Sequence, residues 1–224
     1  MKILYGVQGT GNGHITRARV MAKALKKTNI DVDWLFSGRI NNDYFDMECF
    51  DNYQSYRGLT FTIDKGKISI IKTATNLRPL QLIKDIRRLD LSSYDLIIND
   101  FEPVSAWAAR QQKKPTIGLS HQCAFLYDIP KAGNNLVTDL FMKWFAPVET
   151  PIGIHWHDFN ANILPPIVET STVTRKIDNH YLVYFPFQSL KSLIALFEPF
   201  TEQEFYIYYG VTEAQDIGHI HIRP

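Results

Sequence analysis

Cysteine is scarce in this chain: Cys49 and Cys123 are the only two in 224 residues. Neither lies in a CxxC or zinc-type spacing, which excludes a disulfide framework and a cysteine-rich zinc site and suits a reducing compartment. An excess of charge of one sign is missing too, with 24 basic residues against 23 acidic ones. No global field would therefore draw the chain onto nucleic acid, and an anionic ligand has to be met by local groups. No 18 apolar residues follow one another, so no membrane-spanning helix is expected. The apolar opening Ile3-Leu4-Tyr5-Gly6-Val7 is too short for the core of an export signal and reads as a strand. The expected location is the cytoplasm, with peripheral contact at a membrane surface left open. What the chain does have is 45% hydrophobic residues, enough to bury a core over this length.

The apolar periodicity alternates between the two regular structures. Lys2 to Val7 reads as a strand, and after a run of glycines Ile15, Ala18, Met21, Ala22 and Leu25 fall on one helical face. Val32 to Phe36 is a second strand, which closes a β-α-β unit and implies a parallel sheet. Phe45 to Ile71 reads as a variable region of short strands. From Thr73 to Leu89 the spacing of Leu77, Leu80, Ile83 and Ile86 predicts a basic amphipathic helix. A second β-α-β unit follows, with strands at Asp95 to Asp100 and Pro115 to Leu119 around a helix from Val104 to Gln112. Leu136 to Phe145 is an apolar helix and Ile152 to Trp156 a strand. Leu136, Leu140, Phe141, Trp144 and Phe145 suit either core packing or an exposed patch for a lipid-linked ligand, the basic helix then supplying charge for anionic lipid. Pro165-Pro166 stiffens the chain against helix and marks an interdomain connector. Beyond it a new unit begins, with strands at Tyr181 to Phe185 and Phe205 to Tyr209 around a helix from Leu190 to Phe197. Only the fragment Ile217 to Ile222 comes after, so the second domain is expected to be cut short.

The chemistry concentrates in the loop Gly9-Thr10-Gly11-Asn12-Gly13-His14 after the first strand. Doubly wound sheets bind ligands beyond the carboxyl ends of their strands, and glycines at a helix N-terminus let backbone amides approach an anion or a sugar. The dinucleotide fingerprint GxGxxG would need glycine where His14 stands, and no Gly-Lys-Ser/Thr makes the loop a P-loop. A histidine at this mouth can take a proton from a hydroxyl if a partner fixes its tautomer. Asp100, ending its own strand, is the expected partner. The bland alternative has His14 closing the loop and Asp100 capping the helix near Val104, and the position at the sheet edge favours the catalytic reading.

The run Gly-Thr-Gly-Asn-Gly-His14-Ile-Thr16-Arg17 resembles the N-terminal loop of GT-B glycosyltransferases related to the peptidoglycan N-acetylglucosaminyltransferase and the UDP-glycosyltransferases. It is similar to a subgroup with a Gly-x-Gly-His-x-Thr-Arg signature. In that subgroup an Asp-Phe-Glu-Pro element follows the mid-domain strand, as Asp100-Phe101-Glu102-Pro103 does here, and a Pro-Pro connector precedes the C-terminal domain. The resemblance spans nearly the whole chain. It implies an α/β fold: a Rossmann-like doubly wound parallel sheet over 1–162, a linker over 163–178, and the truncated start of a second Rossmann-like domain over 179–224. It also implies an inverting transfer from a nucleotide-sugar, a UDP-sugar by preference, to a hydroxyl acceptor on a glycan or lipid carrier, without cofactor or metal. His14 and Asp100 are then the catalytic pair, and Gly9, Thr10, Gly11, Asn12, Gly13, Thr16, Arg17, Phe101 and Glu102 contact the substrates. The donor site of such enzymes lies mostly in the C-terminal domain, and its motifs are not evident before Pro224. The isolated chain is therefore expected to be inactive.

Other residues carry weaker signals. His121 closes the strand after the Asp100 unit and either lines the acceptor cleft or makes a structural hydrogen bond. His155 with His157, and His219 with His221, place paired histidines on strands without the further ligand a metal site needs. No Gly-x-Ser-x-Gly elbow occurs, and Cys123 has no feature of an activated thiol. Two competing readings remain at this stage: a nucleotide-sugar epimerase of the same architecture, and a non-catalytic module that binds an acceptor or a partner chain.

Overall fold

The structure is a computed structural model that describes residues 1–39, 44, 46–59, 63–64, 67–68, 79–131, 136–170, 179–185 and 188–224. The chain forms two compact units, one of Met1–Thr60 with Asn76–Thr170 and one of Phe61–Thr75 with Ser171–Pro224.

The first unit is built on β1 (Lys2–Gln8), in which every residue after Lys2 is buried. Leu4 joins a cluster with Leu35, Ile97, Val104 and Ala108, while Tyr5 and Val7 join another with Ile15, Ala18, Trp34 and Phe36. Successive side chains thus point to opposite faces, and both faces are covered, which is why the run is apolar without alternation. Helix α1 (Asn12–Leu25) leads to β2 (Asp31–Ser37), then β3 (Tyr53–Tyr56). Short strands β4 (Ile63–Asp64) and β5 (Lys67–Ile68) pair antiparallel and belong to the second unit. Within the expected short-strand region residues 45, 60–62, 65–66 and 69–71 lie outside the described residues, as do the first turns expected of the basic helix.

Helix α2 (Pro79–Arg88) is followed by β6 (Leu96–Asp100), α3 (Pro103–Gln112), β7 (Thr116–Ser120), the single turn α4 (His121–Ala124), α5 (Leu136–Phe145), β8 (Thr150–Ile154) and β9 (Ile163–Leu164). The sheet order is β3-β2-β1-β6-β7-β8-β9, and all neighbours are parallel. The chain winds one way from β1 and the other way from β6, so the switch point of the doubly wound sheet lies between them. Asp100 is level with Val7 in that pairing, which sets the ends of β1 and β6 side by side.

Three local expectations are corrected. On α2, Leu80 and Ile83 are exposed, at 81% and 44%, whereas Leu82 and Ile86 pack against the core. Leu82, Ile86 and Leu89 form a competing stripe at the same spacing, and it wins because it continues into buried Leu91. On α5, Phe145 is buried and stacks on Phe101, whereas Leu136, Leu140 and Trp144 remain exposed. The linker expected from residue 163 starts too early. Ile163 pairs with Gly153 and is buried with Ala124 and Ile129, and the first unit continues to Thr170. The prolines act two residues later than expected, ending the strand after Leu164.

In the second unit, β10 (His180–Val183), α6 (Leu190–Phe197), β11 (Glu204–Tyr208), β12 (Gln215–Ile217) and β13 (Ile220–Arg223) follow one another. Their order is β10-β11-β13-β12, with β12 antiparallel to β13 and the other pairs parallel. The fragment at Ile217 to Ile222 is a hairpin turning at Gly218, whose φ of +59° suits glycine. Val183, Leu193, Phe205, Ile207, Ile220 and Ile222 make a core of their own.

Candidate active site

At the switch point the loop after β1 is held by its neighbours. The Gly9 amide donates to the Ser37 carbonyl at 2.6 Å, and Gln8 Nε2 donates to Thr10 Oγ1 at 2.8 Å. Arg39 Nη2 donates to the Thr10 carbonyl at 3.0 Å and to Asn12 Oδ1 at 2.6 Å. Gly38, with φ +104°, passes so close that a Cβ there would stand 2.5 Å from Thr10 Oγ1. Thr10 and Asn12 thus shape the loop with their side chains. Gly11 caps α1 without a side-chain hydrogen bond, and the first turn of the helix holds no acidic residue. The first turn of α1 thus brings no acidic side chain of its own to the helix N-terminus, which favours an anion there. Gly13 and Thr16 are exposed.

His14 and Arg17 are three residues apart on α1 and share a face. Both reach Asp100. His14 Nδ1 is 2.8 Å from Asp100 Oδ1, while Arg17 donates from Nε to Oδ2 at 2.9 Å and from Nη2 to Oδ1 at 2.6 Å. Asp100 is fully buried, and the side chains of His14 and Arg17 are 15% and 13% exposed. Burial by itself would push the Asp100 carboxyl up, but the His14 and Arg17 charges and their hydrogen bonds outweigh it and hold the group below its ordinary value. Arg17 Nη2 also lies 3.1 Å from His14 Nδ1. That nitrogen can donate to Asp100 or accept from Arg17, and the carboxylate oxygen is the nearer partner. A proton on Nδ1 leaves the Nε2 lone pair free for a substrate.

Glu102 does not face the crevice, contrary to its assignment as a contact residue. It is the N-cap of α3, accepting from the amides of Val104 at 2.7 Å and Ser105 at 2.6 Å, and from the hydroxyls of Ser105 and Ser37, each at 2.6 Å. Four donors fill its oxygens, and it is completely buried. Burial pushes its carboxyl up and those hydrogen bonds oppose the shift. With Glu102 as the cap, Asp100 is left to His14 and Arg17. Phe101 makes the turn between them at φ +55° and packs on Phe141 and Phe145. His121 is exposed, hydrogen-bonds the Ile154 carbonyl at 3.0 Å and stacks on His155. Its neighbour Gln122 reaches the site instead, with Nε2 3.4 Å from His14 Nε2. His221 is held between Asp216 and Glu204, both at 2.7 Å. Among the described residues no three His, Cys, Asp or Glu side chains gather as a metal site would require, and no helix is long and apolar enough to cross a membrane.

A sheet of this winding with a histidine on a buried carboxylate at its switch point defines an α/β protein of the Rossmann-like class. The glycosyl transferase family 1 profile matches residues 1–223, and the chain belongs to that family. No curated protein sequence matches it. Among solved structures it is similar to the glycosyltransferase SsfS6 of Streptomyces sp. SF2575 complexed with thymidine diphosphate, at 11% identity and a TM-score of 0.56, covering 99% of this chain and 71% of that one. Arabidopsis thaliana UGT89C1 complexed with UDP matches at 14% identity and a TM-score of 0.54, over 100% of this chain and 70% of the other. MurG of Acinetobacter baumannii matches at 15% identity and a TM-score of 0.49, over 93% of this chain. The chain spans 58% of MurG's length. The likenesses to SsfS6 and UGT89C1 establish the GT-B type of fold.

Proposed function

We propose that this protein transfers a sugar from a nucleoside diphosphate donor, a UDP-sugar by preference, to a hydroxyl acceptor with inversion at the anomeric carbon. The observation that carries the reading is His14, anchored through Nδ1 to a fully buried, ionised Asp100 while Nε2 is turned away from it. Nε2 removes the proton of the acceptor hydroxyl, and Asp100 stabilises the imidazolium that forms. The acceptor oxygen attacks the anomeric carbon on the face opposite the leaving group. The bond to the diphosphate breaks, and the nucleoside diphosphate departs with its electron pair. Arg17 fixes the carboxylate by two parallel hydrogen bonds, so that Asp100 stays ionised and oriented although fully buried.

The donor class is supported by the family and by two similar structures that hold UDP and thymidine diphosphate. The exposed Leu136, Leu140 and Trp144 on α5, with Lys143 among them, favour an acceptor presented on a lipid. In the protein assayed for release of UDP from a panel of UDP-sugars, His14→Ala is expected to lower single-turnover transfer by about 10²- to 10⁴-fold. A rate within twofold of wild type under chemistry-limited conditions would remove His14 from the mechanism.

A further inference from the structure

We propose that Gln122 reads the acceptor: its amide oxygen takes a hydrogen from a second donor group next to the hydroxyl that His14 deprotonates, which selects polyol acceptors with adjacent hydroxyls. The inference rests on the reading of His14 as the base.

Gln122 owes its place to the turn at the end of β7. Ser120 accepts from the Cys123 amide at 3.0 Å, which starts the single-turn helix α4 and turns the next residues over the edge of the sheet. His121 is directed toward Ile154, and Gln122 toward α1. Its Nε2 stands 3.4 Å from His14 Nε2, long for an N–H···N hydrogen bond and correspondingly easy to displace. Its Oε1 is buried and, unlike the oxygens of Glu102, has no hydrogen-bond partner. Buried amide oxygens are rarely left without a donor, and one beside a catalytic nitrogen is an acceptor waiting for a ligand.

A hydroxyl docked on His14 Nε2 enters the space the Gln122 amide now borders. Its oxygen can accept from Gln122 Nε2 while its proton passes to His14, and a remaining lone pair attacks the sugar. The vicinal hydroxyl of a pyranose is the donor assigned to Oε1, which the amide rotates to meet. A simple alcohol brings nothing to that oxygen, and binding it leaves the amide oxygen dry and unpaired. Sites that hydrogen-bond a particular hydroxyl reject analogues without it for this reason.

The test uses the 224-residue chain with 15N-labelled histidine and a panel of methyl pyranosides together with their monodeoxy analogues. The readout is the His14 imidazole resonance, from which dissociation constants are obtained. At least one pyranoside is expected to shift His14 Nε2, and loss of the neighbouring hydroxyl to weaken binding about tenfold. Gln122→Ala should bind the two analogues alike, whereas Gln122→Glu, which keeps an acceptor oxygen, should preserve the difference. Gln122→Met, apolar and of similar length, repeats the experiment if alanine disturbs the fold. Discrimination that survives in both the Ala and Met variants, or equal binding of parent and deoxy sugars by wild type, overturns the role of Gln122 while leaving His14 in place. A His14 resonance that no pyranoside moves overturns the reading of His14 itself, and this inference with it.

Discussion

Asp100 ionises although fully buried because two donors share its oxygens. Removing one of them leaves a buried charge with half its compensation, the situation in which broken ion pairs are costliest. Arg17→Met is therefore expected to lower the unfolding free energy by about 3–5 kcal/mol, measured by urea denaturation at neutral pH. The lowered pKa of Asp100 gives a sign to the pH dependence. Its contribution is complete above 3.8, the ordinary carboxyl value, and is lost as the pH falls through the lower, folded value. Asp100→Asn should flatten the acid limb of the stability profile, which denaturation midpoints from pH 7 down to pH 2 would register. An acid limb unchanged in this variant would show that other carboxylates govern it. The partnership of His14 and Asp100 was legible because each ends or follows a strand at the same edge. Arg17 was legible as a motif residue, and its three-residue spacing from His14 carried the clue that both reach one partner. Gln122 had no such clue, since which neighbour of a strand end turns inward depends on the turn that Ser120 caps.

The element that sets this geometry is the turn from β6 into α3. Asn99, Glu102 and Ser105 bind one another there, and Ser37 from β2 adds the fourth donor to Glu102. β1 passes beneath this network at Gly6, where a Cβ would stand 2.0 Å from Ser105 Oγ and 3.3 Å from Glu102 Oε2. Gly6→Ala is expected to cost about 1–3 kcal/mol by forcing that network apart, read as a lower urea midpoint with an unchanged slope. An alanine tolerated at wild-type stability would show that the turn can yield. In the sequence Gly6 looked like an ordinary interruption of an apolar strand. Glu102 was not read as the cap because Asp100 and Glu102 are both acidic and both near the start of α3. Phe101, at a positive φ, decides which of them turns back to the helix.

Across the whole molecule, the buried clusters of the two units are made from separate sets of residues. Trp34, Trp107, Trp144 and Trp156 all belong to the first unit, and the second has none of the chain's 4 tryptophans. Ile207→Ala, at a fully buried position, is expected to destabilise the second unit by about 2–5 kcal/mol. Circular dichroism should report an earlier transition while tryptophan fluorescence keeps its midpoint, and a fluorescence midpoint that moves equally would show one cooperative transition. The alternation of strands and helices, the glycine loop and the acidic strand end at Asp100 were determined by the sequence alone, because periodicity and turn chemistry are local properties. The parallel pairing of β1 and β2 also followed, through the crossover between them. Only the tertiary structure decided which of two apolar stripes on α2 is buried, that β9 extends the sheet into the expected linker, and that Glu102 is a cap while Gln122 faces His14. Each of these is a choice between nearly equal local options. What breaks the tie is the packing of segments far apart in the chain, whose energies no local pattern contains.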